Sequence, residues 1–268
     1  MDVLADPRAP QRLRHETRMR LLEVTGVTTL TPRMRRIHLK GDMAGFAAPG
    51  HADHIKVFFF PPGVAPRAVP IGPDGAQFAP GERPQMRDYT PRAYDVDKGT
   101  LDLDFVLHGD GPAATWAAQA AIGQTLVIGG PRGSLIVPMN FDWYLLAGDE
   151  TAIPALARRM AELPAGARVL AVIEVDNLSE HQPFAGAADV ALTYVYRNGA
   201  AAGTGSRILD RIRTMRFPTG TAYAYVAGEA AMSRAVRAHL TEARGFNPDY
   251  VRAAGYWQRG MADAQQDH

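Results

Sequence analysis

Apolar and polar residues alternate through much of the first half of the chain, a pattern that predicts short β-strands. The runs are bounded by Gly, Pro or Asp and read RLLEVTGVTTLTPRMRRIHLKG, HIKVFFFP, RDYTPRAYD, GTLDLDFVLHG and QTLVIGG. Short strands at such intervals are typical of a small antiparallel barrel. One helix, GPAATWAAQAA, interrupts them, and the segment from Pro61 to Gln85 is predicted to be a surface loop because it is rich in Pro, Gly and Ala.

From about residue 142 the rhythm changes, and buried strands alternate with helices. The strands are predicted at DWYLLAGDE, ARVLAVIEV, VALTYVY and TAYAYVAGE, and the helices at TAIPALARRMAEL, GSRILDRIRTM and AAMSRAVRAHLTEAR. This order predicts a parallel sheet wrapped by helices. We therefore predict a β plus α/β fold, with an antiparallel barrel domain at residues 17–140 and a parallel-sheet α/β domain at residues 141–260.

Composition restricts the chemistry that this fold can carry. A formal net charge of +1 over 268 residues gives no global field for nucleic acid, so any attraction for an anion must be local. The absence of cysteine excludes disulfides and cysteine-ligated iron–sulfur clusters, so any electron carrier must be a bound organic cofactor. No apolar run approaches the roughly 20 residues of a membrane span. We expect a soluble cytoplasmic protein that neither inserts into membranes nor binds nucleic acid.

Two further stretches contain chemically capable side chains. His51 and His54 in HADH have a spacing that can bind a metal on a helix, but their segment leads into a strand, so no metal site is predicted. AGDETAIPA places a glycine turn between a strand and a helix, where open α/β sheets bind ligands. It lacks G-x-G-x-x-G, and its adjacent Asp149 and Glu150 are predicted to cap the helix rather than transfer protons.

The stretch MRDYTPRAYD concentrates polar side chains on both faces of a predicted strand. Side chains alternate along a strand, so Arg87 and Tyr89 share one face while Thr90 and Arg92 share the other. Together with HGDGPAATWA, GPRGS, LLAGDETAIPA, VAGEAAMSRAVRAHL and GYWQRG, in that order over residues 17 to 260, this stretch resembles the siderophore-interacting protein family. That family consists of ferric-siderophore reductases within the ferredoxin reductase superfamily.

The resemblance implies that the barrel binds FAD. It assigns Arg87 to the phosphates, Tyr89 to stacking on the isoalloxazine ring, and Thr90 to a hydrogen bond near N5 of that ring, which makes Tyr89 and Thr90 the predicted catalytic residues. Arg92 would hold the pyrophosphate or face the substrate. The turn before the predicted helix would hold the pyrophosphate through its free amides. The remaining predicted cofactor contacts are His108, Gly111, Ala113, Thr115, Gly148 and Asp149, of which His108 is equally compatible with an ordinary turn histidine.

The resemblance also implies a substrate and an electron donor. Ferric siderophores are commonly anionic, and the family pattern points to Lys56, Arg132 and Arg259 as substrate-binding cations in a cleft; where family members commonly have an arginine after the Trp, this chain has Gln258. NADPH or NADH would reduce FAD, which would reduce Fe(III) to Fe(II). Arg197, at a strand end, could meet a 2′-phosphate or simply be exposed. A flavin reductase or ferredoxin-dependent carrier, and a non-enzymatic siderophore-binding module, are the alternatives.

Overall fold

The computed structural model describes residues 6–73, 75–109 and 111–261 of the chain. These residues form two units, one of residues 12–136 and one that combines residues 6–11 with 137–261. The chain passes between the units directly after the last strand of the barrel, at residues 136 and 137. The boundary that we placed at residues 140 and 141 stays a prediction.

The unit of residues 12–136 is built from antiparallel strands and one helix, and its sheet has the strand order β7-β4-β10-β2-β3-β9-β8. A short pair, β1 with β11, accompanies it. Neither β1 nor β11 is predicted from the sequence. The elements are β1 (Gln11–Arg14), β2 (Met19–Thr31), β3 (Met34–Gly41), β4 (Ile55–Phe59), β5 (Ile71–Gly72), β6 (Gly75–Ala76), β7 (Gln85–Tyr89), β8 (Pro91–Asp95), β9 (Thr100–Val106), α1 (Pro112–Gln119), β10 (Thr125–Gly129) and β11 (Gly133–Ile136).

The alternation seen in the sequence determines which side chains of this sheet form the core. In β9, Leu101, Leu103 and Phe105 are fully buried, and they pack with inward residues of β2, β3, β4 and β10. Burial of an aliphatic side chain contributes roughly 1.5–3 kcal/mol. Asp102 and Asp104, between them, lie on the opposite face and pair with residues of β3.

The two edges of this sheet belong to one continuous stretch of chain. Strand β7 pairs with β4 and ends opposite Ile55 at Tyr89, whereas β8 pairs with β9 and begins opposite Leu103 at Pro91. Thr90 alone separates the two strands, so residues 85–95, here called the closure segment, close the sheet into a barrel. Pro91 fits the first position of a strand because it has no N–H to donate. The predicted antiparallel barrel is confirmed.

The Pro- and Gly-rich segment after β4 carries more structure than a surface loop. It contains the short hairpin of β5 and β6. Phe60 and Phe78 contact each other, with ring centroids 5.7 Å apart, and both pack against the cluster of Met19, Phe58 and Val127. Apolar residues spaced between the prolines therefore hold this segment against the outside of the barrel.

The second unit is a five-stranded parallel sheet with the order β14-β13-β12-β15-β16. All four neighbouring pairs are parallel, which confirms the predicted α/β architecture; β16 is not predicted from the sequence. Its elements are β12 (Trp143–Gly148), α2 (Ile153–Glu162), β13 (Arg168–Val175), β14 (Asp189–Tyr196), α3 (Arg207–Thr214), β15 (Ala222–Glu229), α4 (Ala230–Ala238) and β16 (Val251–Trp257).

The strand order places β12 at the point where the connections change direction. From β12 the chain proceeds outward to β13 and β14, then returns to β15 on the other side. Ligands of open parallel sheets bind at the carboxyl ends of strands near such a point. The residues that follow β12, Asp149 and Glu150, therefore lie at the edge where this fold usually carries a site.

Candidate functional site

The closure segment places its polar side chains as the alternation predicts. Arg87 stands opposite Val57 of β4 and Tyr89 opposite Ile55, and both partners belong to the buried core. Thr90 is buried at the change of partner strand. The Arg87 Nη1 donates to the Met86 carbonyl at 2.8 Å. This segment therefore brings Arg87, Tyr89 and Thr90 together.

Tyr89 belongs to a row of aromatic rings that connects the closure segment to α1. Its ring lies 4.3 Å from that of Phe105, and Phe105 in turn contacts Trp116 of α1 at 5.6 Å. Trp116 also contacts Phe59, at 6.2 Å. Burial raises the pKa of the Tyr89 hydroxyl, so the phenol stays neutral at physiological pH. Two segments that are distant in sequence thus meet at Phe105.

The start of α1 has backbone amides that its N-cap residue does not engage. Its N-cap, Gly111, has no side chain to accept a hydrogen bond from the first turn, and Pro112 follows at the first helical position. The amide of Thr115 donates to the Gly111 carbonyl at 3.0 Å, which leaves the amides of Ala113 and Ala114 without a partner inside the helix. Such amides attract phosphate groups. The helix start therefore fits the pyrophosphate of a dinucleotide cofactor.

One further predicted cofactor residue, His108, precedes this helix start. His108 is exposed and follows β9. Gly109 has a φ of +61° and open space where a Cβ would stand, so it supplies a backbone conformation that other residues rarely adopt. The placement of His108 is compatible with either reading given above, and its role stays a prediction.

Arg92 lies near a carboxylate rather than standing alone. Its Nε is 3.9 Å from the Asp104 carboxylate, whose side chain is only 1% exposed. Arg36 binds the same carboxylate through two hydrogen bonds of 2.7 and 2.9 Å. Asp104 was missed in the sequence, although the outward acids of LDLDF face the basic residues of β3 once the register is known. The assignment of Arg92 to the cofactor or the substrate stays a prediction.

Two of the three predicted substrate cations belong to the barrel unit. Lys56 stands opposite Asp88 across β4 and β7, and its Nζ is 2.7 Å from that carboxylate; both side chains are 35% exposed. Lys56 also stands opposite Gly129 of β10, three residues before Arg132. Arg132 is exposed. Arg259 is exposed in the turn after β16.

Gly148 and Asp149 are structurally constrained at the end of β12. A Cβ on Gly148 would lie 2.4 Å from the Ala227 carbonyl oxygen, so only glycine allows this close approach. The Asp149 Oδ1 accepts from the amide and hydroxyl of Thr151 at 2.9 and 2.5 Å. Its Oδ2 accepts from the Glu229 amide and the Trp257 indole, each at 2.9 Å.

Asp149 thus connects the ends of three neighbouring strands, β12, β15 and β16. Burial raises its pKa, and the hydrogen bonds from Thr151 and Trp257 oppose that rise. It caps the following helical turn through Thr151, as predicted. Glu150, for which the same role was predicted, instead binds Arg197. These contacts give the side chain a structural role, and the direct contact of Gly148 or Asp149 with a cofactor stays a prediction.

Arg197 is neither exposed nor available to a 2′-phosphate, which corrects the expectation for it. Its guanidinium is 4% exposed and binds Glu150 with distances of 2.7 and 2.5 Å. A second acid, Glu174, lies 3.6 Å away, and burial raises the pKa of that carboxyl. No local pattern indicates this arrangement, because Glu150 precedes Arg197 by 47 residues.

Among residues 6–73, 75–109 and 111–261, no group of three or more His, Asp or Glu side chains is placed to hold a metal ion. In the same described part of the chain, no helix has both the length and the apolar character needed to cross a membrane.

Comparison with known proteins identifies the family. The model of the siderophore-interacting FAD-binding domain matches residues 23–135, and that of the siderophore-interacting protein matches residues 141–260. The chain is 32% identical over 255 residues to the NADPH-dependent ferric-chelate reductase of Escherichia coli (strain K12), covering 94% of this chain and 97% of that protein. It is 31% identical over 247 residues to the ferric vibriobactin reductase ViuB of Vibrio cholerae, covering 90% of each.

A solved structure gives the same result. The siderophore utilization protein from T. fusca superimposes with a TM-score of 0.87 at 37% identity, covering 97% of this chain and 99% of that one. The two family models together match most of both units. The chain therefore belongs to the siderophore-interacting protein family.

Proposed function

We propose that this protein is a flavoenzyme that reduces the Fe(III) of a siderophore complex with electrons from NADPH or NADH. The observation that carries the proposal is the contact of both Tyr89 and Trp116 with Phe105. It brings the closure segment and α1 into one cluster. An aromatic surface and a phosphate-binding helix start are the two features that a flavin dinucleotide needs.

The residues of the barrel unit divide the binding of FAD between them. The exposed side of Tyr89 would pack on the isoalloxazine ring, since Phe105 occupies its other side. The amides of Ala113 and Ala114 would bind the pyrophosphate, and Arg87 would add a guanidinium that can bind phosphate oxygens in pairs. Thr90 would hold a hydrogen bond near N5. When bound, FAD takes up a hydride and gives out single electrons.

The iron enters and leaves as substrate. Hard oxygen ligands hold Fe(III) more tightly than Fe(II), so reduction weakens their hold and releases the metal. Lys56 and Arg132 would attract the negative charge of the complex, and the role of Arg259 stays a prediction. We place the reaction in the cytoplasm because reduced pyridine nucleotides are available there. Ferredoxin as an alternative donor has no support in the contacts described.

A spectrum of the purified protein tests the cofactor. We expect a yellow protein whose flavin, released by heat, is FAD. FMN, or a colourless protein that takes up no added FAD, would contradict the proposed site on the barrel.

Anaerobic reduction tests the reaction. NADPH or NADH should bleach the flavin without any added protein, and a ferric tris-catecholate should then restore the colour while a ferrous trap reports Fe(II). If only reduced ferredoxin bleaches the flavin, the donor in our proposal is wrong. If the bleached protein leaves the ferric complex intact, the proposed substrate is wrong.

A further inference from the structure

We propose that a chain of hydrogen bonds, from half-buried His15 through Ser134 to Asp53, positions Arg132 and Lys56 for the anionic substrate. The proposal rests on the proposed function, because it needs these two cations to bind the ferric complex. Ser134 and Asp53 are buried. The His15 Nε2 is 2.7 Å from the Ser134 Oγ, and the Ser134 Oγ is 2.5 Å from the Asp53 Oδ2.

The chemistry of the three groups fixes the direction of these bonds. An ionised carboxylate only accepts, so Ser134 donates its single hydroxyl proton to Asp53. The serine oxygen must then accept from His15, which carries its proton on Nε2. The same Asp53 oxygen also accepts from the Gly50 amide at 2.8 Å. Every group in the chain is therefore engaged in one defined arrangement.

This arrangement is unsuited to nucleophilic catalysis. In a Ser-His-Asp triad the histidine stands between the other two and takes the proton from the serine. Here the serine stands in the middle and points its proton at the aspartate. Ser134 cannot be activated by His15, and the chain is a device for holding backbone segments in place.

At one end of this hydrogen-bond chain, His15 holds the segment that carries Arg132. The His15 amide donates to the Arg132 carbonyl at 2.9 Å, while the His15 side chain holds Ser134, two residues further on. The backbones of β1 and β11 come so close that a Cβ on Gly133 would lie 2.4 Å from the Leu13 carbonyl oxygen. His15 therefore binds the residues on both sides of Gly133, at the start of β11.

At the other end of the hydrogen-bond chain, Asp53 holds the turn that leads to Lys56. Asp53 lies three residues before Lys56, and its amide donates to the Gly50 carbonyl at 3.0 Å. A Cβ on Gly50 would lie 2.8 Å from the Leu135 carbonyl oxygen, so this turn packs directly on β11. Ser134, a residue of β11, binds Asp53 of the turn. It thereby fixes the spacing between Lys56 and Arg132.

The test uses the purified flavoprotein and four variants: Ser134→Ala, Arg132→Ala, their combination, and Thr28→Ala. Thr28→Ala is a matched control, because its hydroxyl lies 3.0 Å from the His38 Nε2 on an exposed part of the same unit. The probes are a trianionic ferric tris-catecholate, its redox-inert gallium(III) counterpart for direct binding, and a neutral ferric tris-hydroxamate.

Ser134→Ala should raise the KM for the trianionic complex, and the Kd of its gallium counterpart, by about three- to tenfold, as expected for one lost hydrogen bond. The kcat, the FAD content and the KM for the neutral complex should stay within about twofold, as in Thr28→Ala, which touches none of the proposed site. In the Arg132→Ala background, Ser134→Ala should have a clearly smaller effect than in the wild type, because only the positioning of Lys56 is then left to lose.

The outcomes separate this inference from the proposed function. An unchanged KM in Arg132→Ala would remove Arg132 from the substrate site and so contradict the proposed function there. A raised KM in Arg132→Ala with an unchanged KM in Ser134→Ala, or additive effects in the combination, would overturn the positioning role.

A second pair of variants decides the case if Ser134→Ala fails to fold. His15 is half-buried, so its replacement places less demand on the core. His15→Gln keeps a side-chain N–H that can donate to Ser134, whereas His15→Ala does not. We expect His15→Ala to raise the KM for the trianionic complex and His15→Gln to restore it. Equal KM values in the two variants would overturn the proposal.

Discussion

The two units treat the charged residues of their candidate sites in opposite ways. In the barrel unit, Lys56 and Asp88 form an ion pair with both side chains 35% exposed. At the carboxyl edge of the parallel sheet, Arg197 is 4% exposed and binds Glu150 through both of its terminal nitrogens. An exposed pair contributes little to stability and can exchange partners. Breaking a buried pair leaves an uncompensated charge in the interior.

This difference distinguishes a cation that can bind a ligand from one that stabilises the fold. Lys56 can leave Asp88 for an incoming anion at small cost, because water stabilises both charges during the exchange. Arg197 cannot leave Glu150 without burying two carboxylates beside each other, since Glu174 is also near. A cation at a strand end is thus available to a ligand only where its own partner is exposed. The variants below test this distinction, beginning with the largest expected effect.

Arg197→Ala should cause the greatest loss of stability. It leaves Glu150 and Glu174 buried without their cation, which costs about 3–5 kcal/mol of unfolding free energy for a buried pair broken on one side. The exposed pair of Arg213 and Asp210, with side chains 54% and 55% exposed, supplies the control. Arg213→Ala should change the unfolding free energy by no more than about 0.5 kcal/mol.

Urea unfolding at neutral pH measures both variants. A stable Arg197→Ala protein with weakened affinity for NADPH would show that Arg197 serves the ligand rather than the interior, and our distinction would fail.

Asp149→Asn should have the next largest effect on stability. An amide keeps one acceptor oxygen but presents an N–H where the carboxylate accepted, so at least one of the donors from Thr151, Glu229 or Trp257 loses its partner. A buried unsatisfied donor costs about 1–3 kcal/mol. The loss should be accompanied by a changed Trp257 fluorescence, and Trp257→Phe identifies the signal of that residue.

The pH dependence of the same variant has a defined sign. Burial raises the folded-state pKa of Asp149, so the folded protein binds this proton more tightly than the unfolded chain does. The stability that this tighter proton binding contributes is fully present below the unfolded pKa of about 3.9. It is lost as pH rises through the folded pKa of Asp149. The stability of the wild type relative to Asp149→Asn should therefore fall over that window. A relative stability that rises with pH would show that the hydrogen bonds outweigh burial.

Local patterns predicted the fold, and contacts between distant segments explain what the sequence could not show. The alternation in LDLDF placed Leu101 and Leu103 inside the barrel and the acids outside. The pairing of Asp104 with Arg36 needed the register of β3 with β9, which no local pattern supplies. The predicted exposure of Arg197 was wrong for the same reason. Its burial depends on an ion pair with Glu150, which follows β12, whereas Arg197 follows β14.

The candidate site shows the same division. The motifs placed Arg87, Tyr89 and Thr90 on one strand, and the start of α1 was visible as a glycine before a helix. Their meeting at Phe105 depends on how the barrel closes. The hydrogen bonds of Asp149 connect three of the motifs quoted for the family. Their meeting depends on the order of β12, β15 and β16 in the sheet, which no local pattern predicts.

Tyr89 and Thr90 should separate cofactor retention from rate. Tyr89→Ala removes the ring that lies against Phe105, so it should lower FAD content after dialysis, whereas Tyr89→Phe should keep it. Thr90→Ala should retain FAD but slow flavin reduction or reoxidation by up to about tenfold, the value of one neutral hydrogen bond. Stopped-flow absorbance and flavin analysis measure the two effects. Loss of flavin from Thr90→Ala with retention in Tyr89→Ala would reverse these roles.

The smallest effects should come from the exposed pair itself, and its two members should act in opposite directions. Lys56→Ala removes an attractive charge and should raise the KM for a trianionic ferric complex, while Asp88→Ala frees Lys56 and should lower it. Each change should amount to no more than about fivefold, since exposed pairs contribute roughly 0–1 kcal/mol. Both should shrink with added salt, because exposed charges more than about 8–10 Å apart are screened at physiological ionic strength. Steady-state kinetics at two salt concentrations, with a neutral ferric tris-hydroxamate as control, measure both variants. If Asp88→Ala raised the KM as Lys56→Ala does, the ion pair would be supporting the site rather than competing with the substrate, and the barrel would then follow the rule of the buried pair at Arg197.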